Sequence, residues 1–316
     1  MILSLIGLAV GLVGLYFGGD WLVAGASRLA RSLGISALIV GLTVVSIGTS
    51  MPELLVSVDA ALRGSSDIAI GNVVGSNIAN IGLILGISGL IYPIRVNVSL
   101  LRREIPIMVL VAVAAYVLMR DGTISRGDGG LLLAGMVGFI VLMVILGRQE
   151  QAASKMTAAE SIDIAINRGK EALRMVAGIA VLMVGARLTV DNAIDIARVL
   201  QISELVIGVT VVAVGTSLPE LVTSTVAAMR HESDIAIGNV VGSNIFNILG
   251  ILGATAVIRP ILVVAQIVTF DALVMIGFSL LVLSFVINRH LSRLEAIAFL
   301  GLYVAYIVYS VVGSVL

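Results

Sequence analysis

Two glutamates stand inside long apolar stretches of the sequence, and the same short polar motif leads to each of them. Glu53 ends the motif Gly48-Thr49-Ser50-Met51-Pro52-Glu53, and Glu220 ends the motif Gly215-Thr216-Ser217-Leu218-Pro219-Glu220. An ionisable side chain in an apolar span is costly and usually serves ion binding or ion movement. Proline lacks the amide hydrogen of the helical ladder, so it releases backbone carbonyls. We expect the released carbonyls to lie near Ser46, Thr49, Ala213 and Thr216.

A second pair of polar motifs supplies further oxygen atoms. Ser76 and Asn80 are four residues apart and share a helix face, as do Ser243 and Asn247. Carboxylate, hydroxyl, amide and carbonyl oxygens suit Ca²⁺ and Na⁺. No histidine or cysteine lies in these motifs, so they lack the ligands that zinc and copper prefer. The residue types therefore predict a site for hard cations.

Both motif pairs belong to an internal repeat that keeps one register without gaps. The run from Ser66 to Ile78 recurs without a change from Ser233 to Ile245, so that Ser66 is equivalent to Ser233 and Glu53 to Glu220. A duplicated scaffold without a transport role is the alternative, but the identity is concentrated in the polar segments. With five predicted spans in each half, the second copy enters the membrane from the opposite side. Such inverted repeats are typical of secondary transporters, which bind their substrates at the midplane.

The composition indicates the elements that must position these residues. The chain has 316 residues, of which 59% are hydrophobic and 12% charged, with no net charge. These values exclude a soluble enzyme, a nucleic-acid-binding protein and a disordered chain. We predict an all-α integral membrane protein whose ten transmembrane helices form two inverted five-helix repeats, with helices 2, 3, 7 and 8 broken. The predicted spans are roughly 2–27, 36–62, 68–91, 104–119, 129–147, 173–196, 203–229, 235–258, 267–288 and 294–314.

The predicted domains follow the repeat. The first five-helix repeat covers 1–147 and the second covers 173–316, with a linker at 148–172. The repeated motifs occupy about 41–86 in the first repeat and about 208–253 in the second. Of the 19 basic residues, 13 fall on the side of the linker when the N-terminus is placed outside. The linker is therefore expected to be cytoplasmic, and both termini to lie outside the cell membrane.

The motifs resemble those of the calcium/cation antiporter superfamily, specifically its sodium/calcium exchanger branch in a minimal prokaryotic form. That branch carries GTS-x-PE followed by GS-x-x-x-N/D in each repeat, which this chain matches at Gly48–Glu53 with Gly75–Asn80 and at Gly215–Glu220 with Gly242–Asn247. The resemblance covers all ten predicted spans. It implies exchange of Na⁺ for Ca²⁺ by alternating access, with spans one and six sliding across a fixed core.

The resemblance also implies a set of ligands. Glu53 and Glu220 would be shared by a central Ca²⁺ site and two flanking Na⁺ sites. Carbonyls of Thr49 and Thr216 would contact Ca²⁺, and Asn80 and Asn247 would complete the centre. The sodium sites would use the Ser46 carbonyl with Thr49, Ser50 and Ser76, and the Ala213 carbonyl with Thr216, Ser217 and Ser243.

Alternative functions remain open at the level of sequence. Asparagine in both repeats, at Asn80 and Asn247, argues against K⁺ coupling, while H⁺/Ca²⁺ exchange is the nearest alternative. A membrane-embedded lipid pyrophosphate hydrolase is remote, because neither motif pair contains Arg, Lys or His to bind phosphate. We expect a transporter and not an enzyme, with no cofactor. The expected partners are Ca²⁺, Na⁺ and the lipid bilayer, with no nucleic acid and no protein partner, and the expected state is a monomer.

Overall fold

The computed structural model describes residues 1–157, 167–201, 213–285 and 287–315. Within these ranges the regular elements are helices and four two-residue strands. The helices are α1 (Ile2–Leu33), α2 (Ala37–Thr49), α3 (Met51–Leu62), α4 (Ser66–Ile91), α5 (Ile105–Met119), α6 (Arg126–Thr157), α7 (Arg168–Val199), α8 (Ala213–Gly215), α9 (Leu218–Met229), α10 (Ser233–Ile258), α11 (Ala272–Phe285) and α12 (Arg293–Val315). The strands are β1 (Ile94–Arg95), β2 (Thr123–Ile124), β3 (Ile261–Leu262) and β4 (His290–Leu291).

Helices of membrane-spanning length dominate the described ranges. Seven are long and apolar enough to cross a bilayer, or eight when α2 and α3 are taken together as one bent span. Two of the ten predicted spans are absent from this count. The predicted span 104–119 corresponds to α5, which is shorter than a bilayer requires but follows a π-helical turn at Leu100–Glu104. The predicted span 203–229 begins in 202–212, outside the described residues.

The predicted break in helix 2 is present. The axes of α2 and α3 meet at 44°, and Ser50 stands between them. Pro52 lies in the first turn of α3, where a missing amide hydrogen is tolerated. In the second repeat α8 ends at Gly215 and α9 begins at Leu218, with Pro219 in the same position. The proline therefore starts a new helix in each copy.

The predicted breaks in helices 3 and 8 are wrong. The helices α4 and α10 each run without a break over 26 residues. Each instead contains a π-helical segment, Asn80–Leu85 in α4 and Asn247–Leu252 in α10. No proline lies within either helix, so nothing forces an interruption. The wider π turn places Asn80 and Asn247 at its start and still keeps the backbone hydrogen-bonded.

The predicted linker is helical at both of its described ends. The helix α6 continues to Thr157, and α7 already begins at Arg168, where the side chain of Asn167 accepts a hydrogen bond from the amide of Lys170 at 3.1 Å. Arg168 also donates a hydrogen bond to the carbonyl of Ser32 at 2.7 Å. The rest of the predicted segment, 158–166, lies outside the described residues.

The core and the lipid-facing surface are formed by different helices. The helix α10 is buried continuously from Ile235 to Gly253, and α4 is buried over most of its length. By contrast, large apolar side chains are exposed along α1, α6 and α12. In a bilayer such exposed apolar side chains face the lipid, because the surrounding solvent there is hydrocarbon. The two helices that carry the repeated thirteen-residue run are therefore central.

Glycines bring α1 and α7 into backbone contact. A Cβ atom added at Gly11 or Gly18 would lie 2.9 Å from the carbonyl oxygen of Gly185 or Gly178, respectively. A Cβ added at Gly185 would lie 2.8 Å from the amide nitrogen of Leu15. Such small-residue seams let membrane helices approach closely. We call these four glycines the α1–α7 seam.

Gly238 and Gly242 have the GxxxG spacing and allow close packing of α10 against α2. A Cβ atom at Gly242 would lie 2.6 Å from the carbonyl oxygen of Leu42, and one at Gly238 would lie 3.1 Å from that of Leu38. The equivalent glycines of the first repeat are Gly71 and Gly75. The segment equivalent to 38–45 is 205–212, which lies outside the described residues, so this contact is described in the second repeat alone.

The four short strands pair between the two halves of the chain. β1 pairs antiparallel with β4, with Ile94 opposite Leu291, and β2 pairs antiparallel with β3, with Thr123 opposite Leu262. In the register of the repeat, β1 is equivalent to β3 and β2 is equivalent to β4. The two pairings lie at opposite ends of α5, because β1 precedes this helix and β2 follows it.

Replacing Gly185 by Ala is expected to lower thermal stability. The new methyl group would meet backbone atoms of α1, which cannot move aside as a flexible side chain would. We expect a loss of about 1–3 kcal/mol, the usual cost of overpacking. Gly138→Ala is the matched control, because nothing lies within 4 Å of a Cβ atom there. Thermal unfolding in detergent measures both, and equal melting temperatures would contradict the close contact at the seam.

Candidate cation site

Glu53 and Glu220 meet at the centre of the protein through serine hydroxyls. Both side chains are 1% exposed. The hydroxyl of Ser217 donates to Oε1 of Glu53 at 3.1 Å, and the hydroxyl of Ser50 donates to Oε1 of Glu220 at 2.8 Å. Each carboxylate is thus bound by the serine that precedes the other one. The structure brings these four predicted site residues together.

The second oxygen of each carboxylate is buried and accepts no hydrogen bond from the described residues. The same holds for the side-chain carbonyl oxygens of Asn80 and Asn247. The elements that carry these residues are neighbours, because α3 packs against the π-helical segment that starts at Asn247 and α9 against the one that starts at Asn80. Buried acceptors are almost always satisfied, since leaving one unpaired costs free energy. These four oxygens are therefore candidate ligands for a cation. We call them the four cage oxygens.

The amide nitrogens of these asparagines are engaged elsewhere. Nδ2 of Asn80 donates to Oδ1 of Asn244 at 2.9 Å, and Nδ2 of Asn247 donates to Oδ1 of Asn77 at 3.0 Å. Both hydrogen bonds cross between the two repeats. With its nitrogen bound in this way, each amide presents its oxygen as the free end. All four asparagines are at most 1% exposed.

A further pair of asparagines ties each broken helix to the central helix of its own repeat. Nδ2 of Asn72 donates to the backbone carbonyl of Glu53 at 3.0 Å and to the hydroxyl of Ser57 at 2.8 Å. Nδ2 of Asn239 likewise donates to the carbonyl of Glu220 at 3.4 Å and to the hydroxyl of Ser224 at 2.9 Å. These contacts fix the first turns of α3 and α9 and therefore the positions of the glutamates.

Sequence reasoning missed Asn72, Asn77, Asn239 and Asn244. All four lie in the run of thirteen identical residues that occurs in both repeats. The sequence signal that could have identified them is the presence of the same asparagines at equivalent positions of both copies of this run.

Thr49 and Ser46 lie beside the cage but are already hydrogen-bonded. The hydroxyl of Thr49 donates to Oδ1 of Asn239 at 3.1 Å and to the carbonyl of Ser46 at 3.3 Å. This carbonyl also accepts from the amide of Ser50 at 3.0 Å. The Ser46 carbonyl itself is therefore hydrogen-bonded, whereas the expectation placed the released carbonyls near Ser46 and Thr49. Since Pro52 has no amide hydrogen, the carbonyl that loses its helical partner is that of Gly48.

For the remaining predicted site residues the structure gives burial and position but no hydrogen bond to Glu53 or Glu220. Ser76 and Ser243 are buried, and the hydroxyl of Ser243 has no hydrogen-bond partner among the described residues. Thr216 is partly buried in the turn between α8 and α9. Ala213 begins α8, and its backbone alone is described.

Comparisons with known proteins show the family of the chain. The family model described as "Sodium/calcium exchanger protein" matches the chain twice, at residues 3–145 and 170–312. The chain belongs to the sodium/calcium exchanger family. The two matches begin and end at equivalent positions of the internal repeat.

Members of this family similar to the chain are named as transporters. Sodium/calcium exchanger MaX1 of Methanosarcina acetivorans is 35% identical over 95% of this chain and 96% of its own length. The putative antiporter CaxA of Alkalimonas amylolytica is 38% identical over 97% of this chain and 98% of its own. A structure of the sodium-calcium exchanger NCX_Mj, soaked with Na⁺ and Ca²⁺, is 37% identical over 98% of both chains, with a TM-score of 0.82. The predictions of a membrane-embedded cation transporter and of no enzymatic activity are confirmed.

Proposed function

We propose that this protein exchanges Na⁺ for Ca²⁺ across the membrane at a site between Glu53 and Glu220. The observation that carries the proposal is the cage of four buried oxygens that accept no hydrogen bond from the described residues. Two carboxylates match the charge of one Ca²⁺, and oxygen ligands suit both ions. Family membership and the exchangers among its relatives support the same pair of ions.

Competition for the same carboxylates would couple the two ions. If Ca²⁺ uses both glutamates and Na⁺ ions use them with nearby hydroxyls, the site holds one kind of ion at a time. Binding of one ion then lowers the affinity for the other, which is a reciprocal free-energy coupling. A carrier that crosses the membrane only when its site is filled would thereby exchange the two ions.

We assign the ligands as the resemblance implies, with the geometry as support. Ca²⁺ would be bound by the four cage oxygens together with the carbonyls of Thr49 and Thr216. The flanking Na⁺ sites would share the glutamates. One would add the Ser46 carbonyl, Thr49, Ser50 and Ser76, and the other the Ala213 carbonyl, Thr216, Ser217 and Ser243.

We further propose that the fold consists of ten spans in two inverted repeats, 1–147 and 173–316. The contacts across the site support this, because exchanging each residue for its equivalent converts the pair Ser217 and Glu53 into the pair Ser50 and Glu220. The strands support it too. β1 and its equivalent β3 pair at opposite ends of α5, as they would if the second copy ran in the opposite direction. One chain supplies every residue of the site, so the proposal needs no second copy.

The same scheme suggests which helices move. The α1–α7 seam joins the first helix of each repeat by direct backbone contact. We propose that these two helices slide as one body past the buried core, opening the cage to either side in turn.

The proposed orientation places both termini outside and the segment 148–172 in the cytoplasm. The chain contains no cysteine, so a single introduced cysteine reports directly on which side of the membrane its position lies. In intact cells, Ile2→Cys is expected to react with a membrane-impermeant maleimide, while Lys170→Cys reacts only after permeabilisation. Both positions are exposed, which makes them matched reporters. The reverse labelling pattern would overturn the orientation.

Proteoliposomes loaded with Ca²⁺ test the transport activity. We expect Ca²⁺ efflux to follow an inward Na⁺ gradient and not an imposed K⁺ or H⁺ gradient. Glu53→Gln or Glu220→Gln should slow it by a factor of about 100 or more, because losing one buried charge of an ion site costs about 3 kcal/mol.

Asp59→Asn is the control on the same helix as Glu53. Asp59 is exposed and pairs with Arg63 at 2.7 Å, away from the cage, so exchange should be retained. Flux driven by a pH gradient and indifferent to Na⁺ would establish H⁺/Ca²⁺ exchange in place of the proposed function. Undiminished Na⁺-driven Ca²⁺ efflux in either glutamate variant would contradict the assignment of the site to Glu53 and Glu220.

A further inference from the structure

An asparagine can attract or repel a cation, depending on which end of its amide faces it. The carbonyl oxygen is an acceptor and the NH₂ group carries two donor hydrogens. Rotation of the amide by half a turn exchanges the two ends at almost no cost in shape. If Asn80 and Asn247 bind Ca²⁺, something must keep their oxygens pointing into the cage.

The partner of each cage asparagine sets this orientation. Asn80 gives its NH₂ group to Oδ1 of Asn244, and Asn247 gives its NH₂ group to Oδ1 of Asn77. These partners are amides as well, and a turned partner would present NH₂ instead. The cage amide would then have to accept this hydrogen bond with its oxygen, and its own NH₂ group would face the cation.

Groups that can only accept hydrogen bonds hold the partners in place. Nδ2 of Asn244 lies 3.6 Å from Sδ of Met108, and Nδ2 of Asn77 lies 3.5 Å from Sδ of Met275. A thioether has no hydrogen to donate, so an amide oxygen turned toward it would gain nothing and lose its own partner. Met108 and Met275 occupy equivalent positions of the two repeats, and each is 1% exposed. The arrangement therefore occurs once in each repeat.

We propose that Met108 and Met275 are positioning residues for the cation site. Acting through Asn244 and Asn77, their sulfur atoms fix the amides of Asn80 and Asn247 with the oxygens toward the ion. This inference rests on the proposed function, since it assumes that these oxygens bind Ca²⁺. The ordinary interpretation of a buried methionine is flexible core filling, for which leucine is a close substitute in volume.

The two repeats differ in one contact, which gives the proposal a graded prediction. Asn77 also donates to the backbone carbonyl of Asn244 at 3.4 Å. That carbonyl accepts only, so Asn77 keeps one orienting partner when Met275 is replaced. Among the described residues, the sulfur of Met108 is the acceptor for Nδ2 of Asn244. Met108 should therefore matter more than Met275.

The test compares Ca²⁺ dependence and Na⁺ dependence of exchange in proteoliposomes. Met108→Leu is expected to raise the KM for Ca²⁺ about five- to thirty-fold, the effect of one misdirected buried polar group. Met275→Leu should raise it by less than about fivefold, because one acceptor remains. The maximum rate and the Na⁺ concentration for half-maximal exchange should stay unchanged in both. Met143→Leu, a buried methionine on α6, is the control and should leave every parameter unchanged.

A double variant separates positioning from general loss of packing. In an Asn80→Ala background there is no amide left to orient, so adding Met108→Leu should have no further effect on the KM for Ca²⁺. Additive effects, or an unchanged KM in Met108→Leu alone, would overturn this inference while the wild-type protein still exchanged Na⁺ for Ca²⁺. Absence of that exchange in the wild-type protein would instead overturn the proposed function.

Discussion

The whole structure depends on two carboxylates that are buried together without a positive side chain. Among the described residues, no Lys, Arg or His pairs with Glu53 or Glu220. Each accepts one serine hydroxyl and keeps its other oxygen unpaired. Removing charge from water in this way is expensive unless an opposite charge compensates it. In the proposed function, cations of the solution supply this compensation, and the unpaired carboxylates then favour ion binding.

Other features of the fold follow from holding that pair in place. The prolines end one helix and start another, so that each glutamate begins a new helical turn at membrane depth. Asn72 and Asn239 secure those turns to the buried helices α4 and α10. Because each of these contacts has its equivalent in the other repeat, the cage is built from two copies of one arrangement.

The residues that sequence reasoning selected and the structure brings together are those where chemistry and repetition coincide. Glu53 and Glu220 could be identified because charge is rare in apolar spans, and the serines because they lie in the same motif. Features set by three-dimensional neighbours could not be identified. The direction of the Asn80 amide depends on Asn244 and Met108, which are distant in sequence. The hydrogen bond from the amide of Ser50 to the carbonyl of Ser46 is likewise visible only in the folded turn. The π-helical continuity of α4 and α10 leaves no sequence signal as clear as a proline.

Calorimetric titration of the purified protein with Ca²⁺ at several Na⁺ concentrations tests the central claim most directly. If one pair of carboxylates serves both ions, one Ca²⁺ binds per chain. Its apparent Kd should then rise steeply with Na⁺ until binding is lost, and the double variant Glu53→Gln/Glu220→Gln should bind none. Ca²⁺ binding with unchanged affinity in saturating Na⁺, or binding that survives in the double variant, would contradict a shared site between the two glutamates.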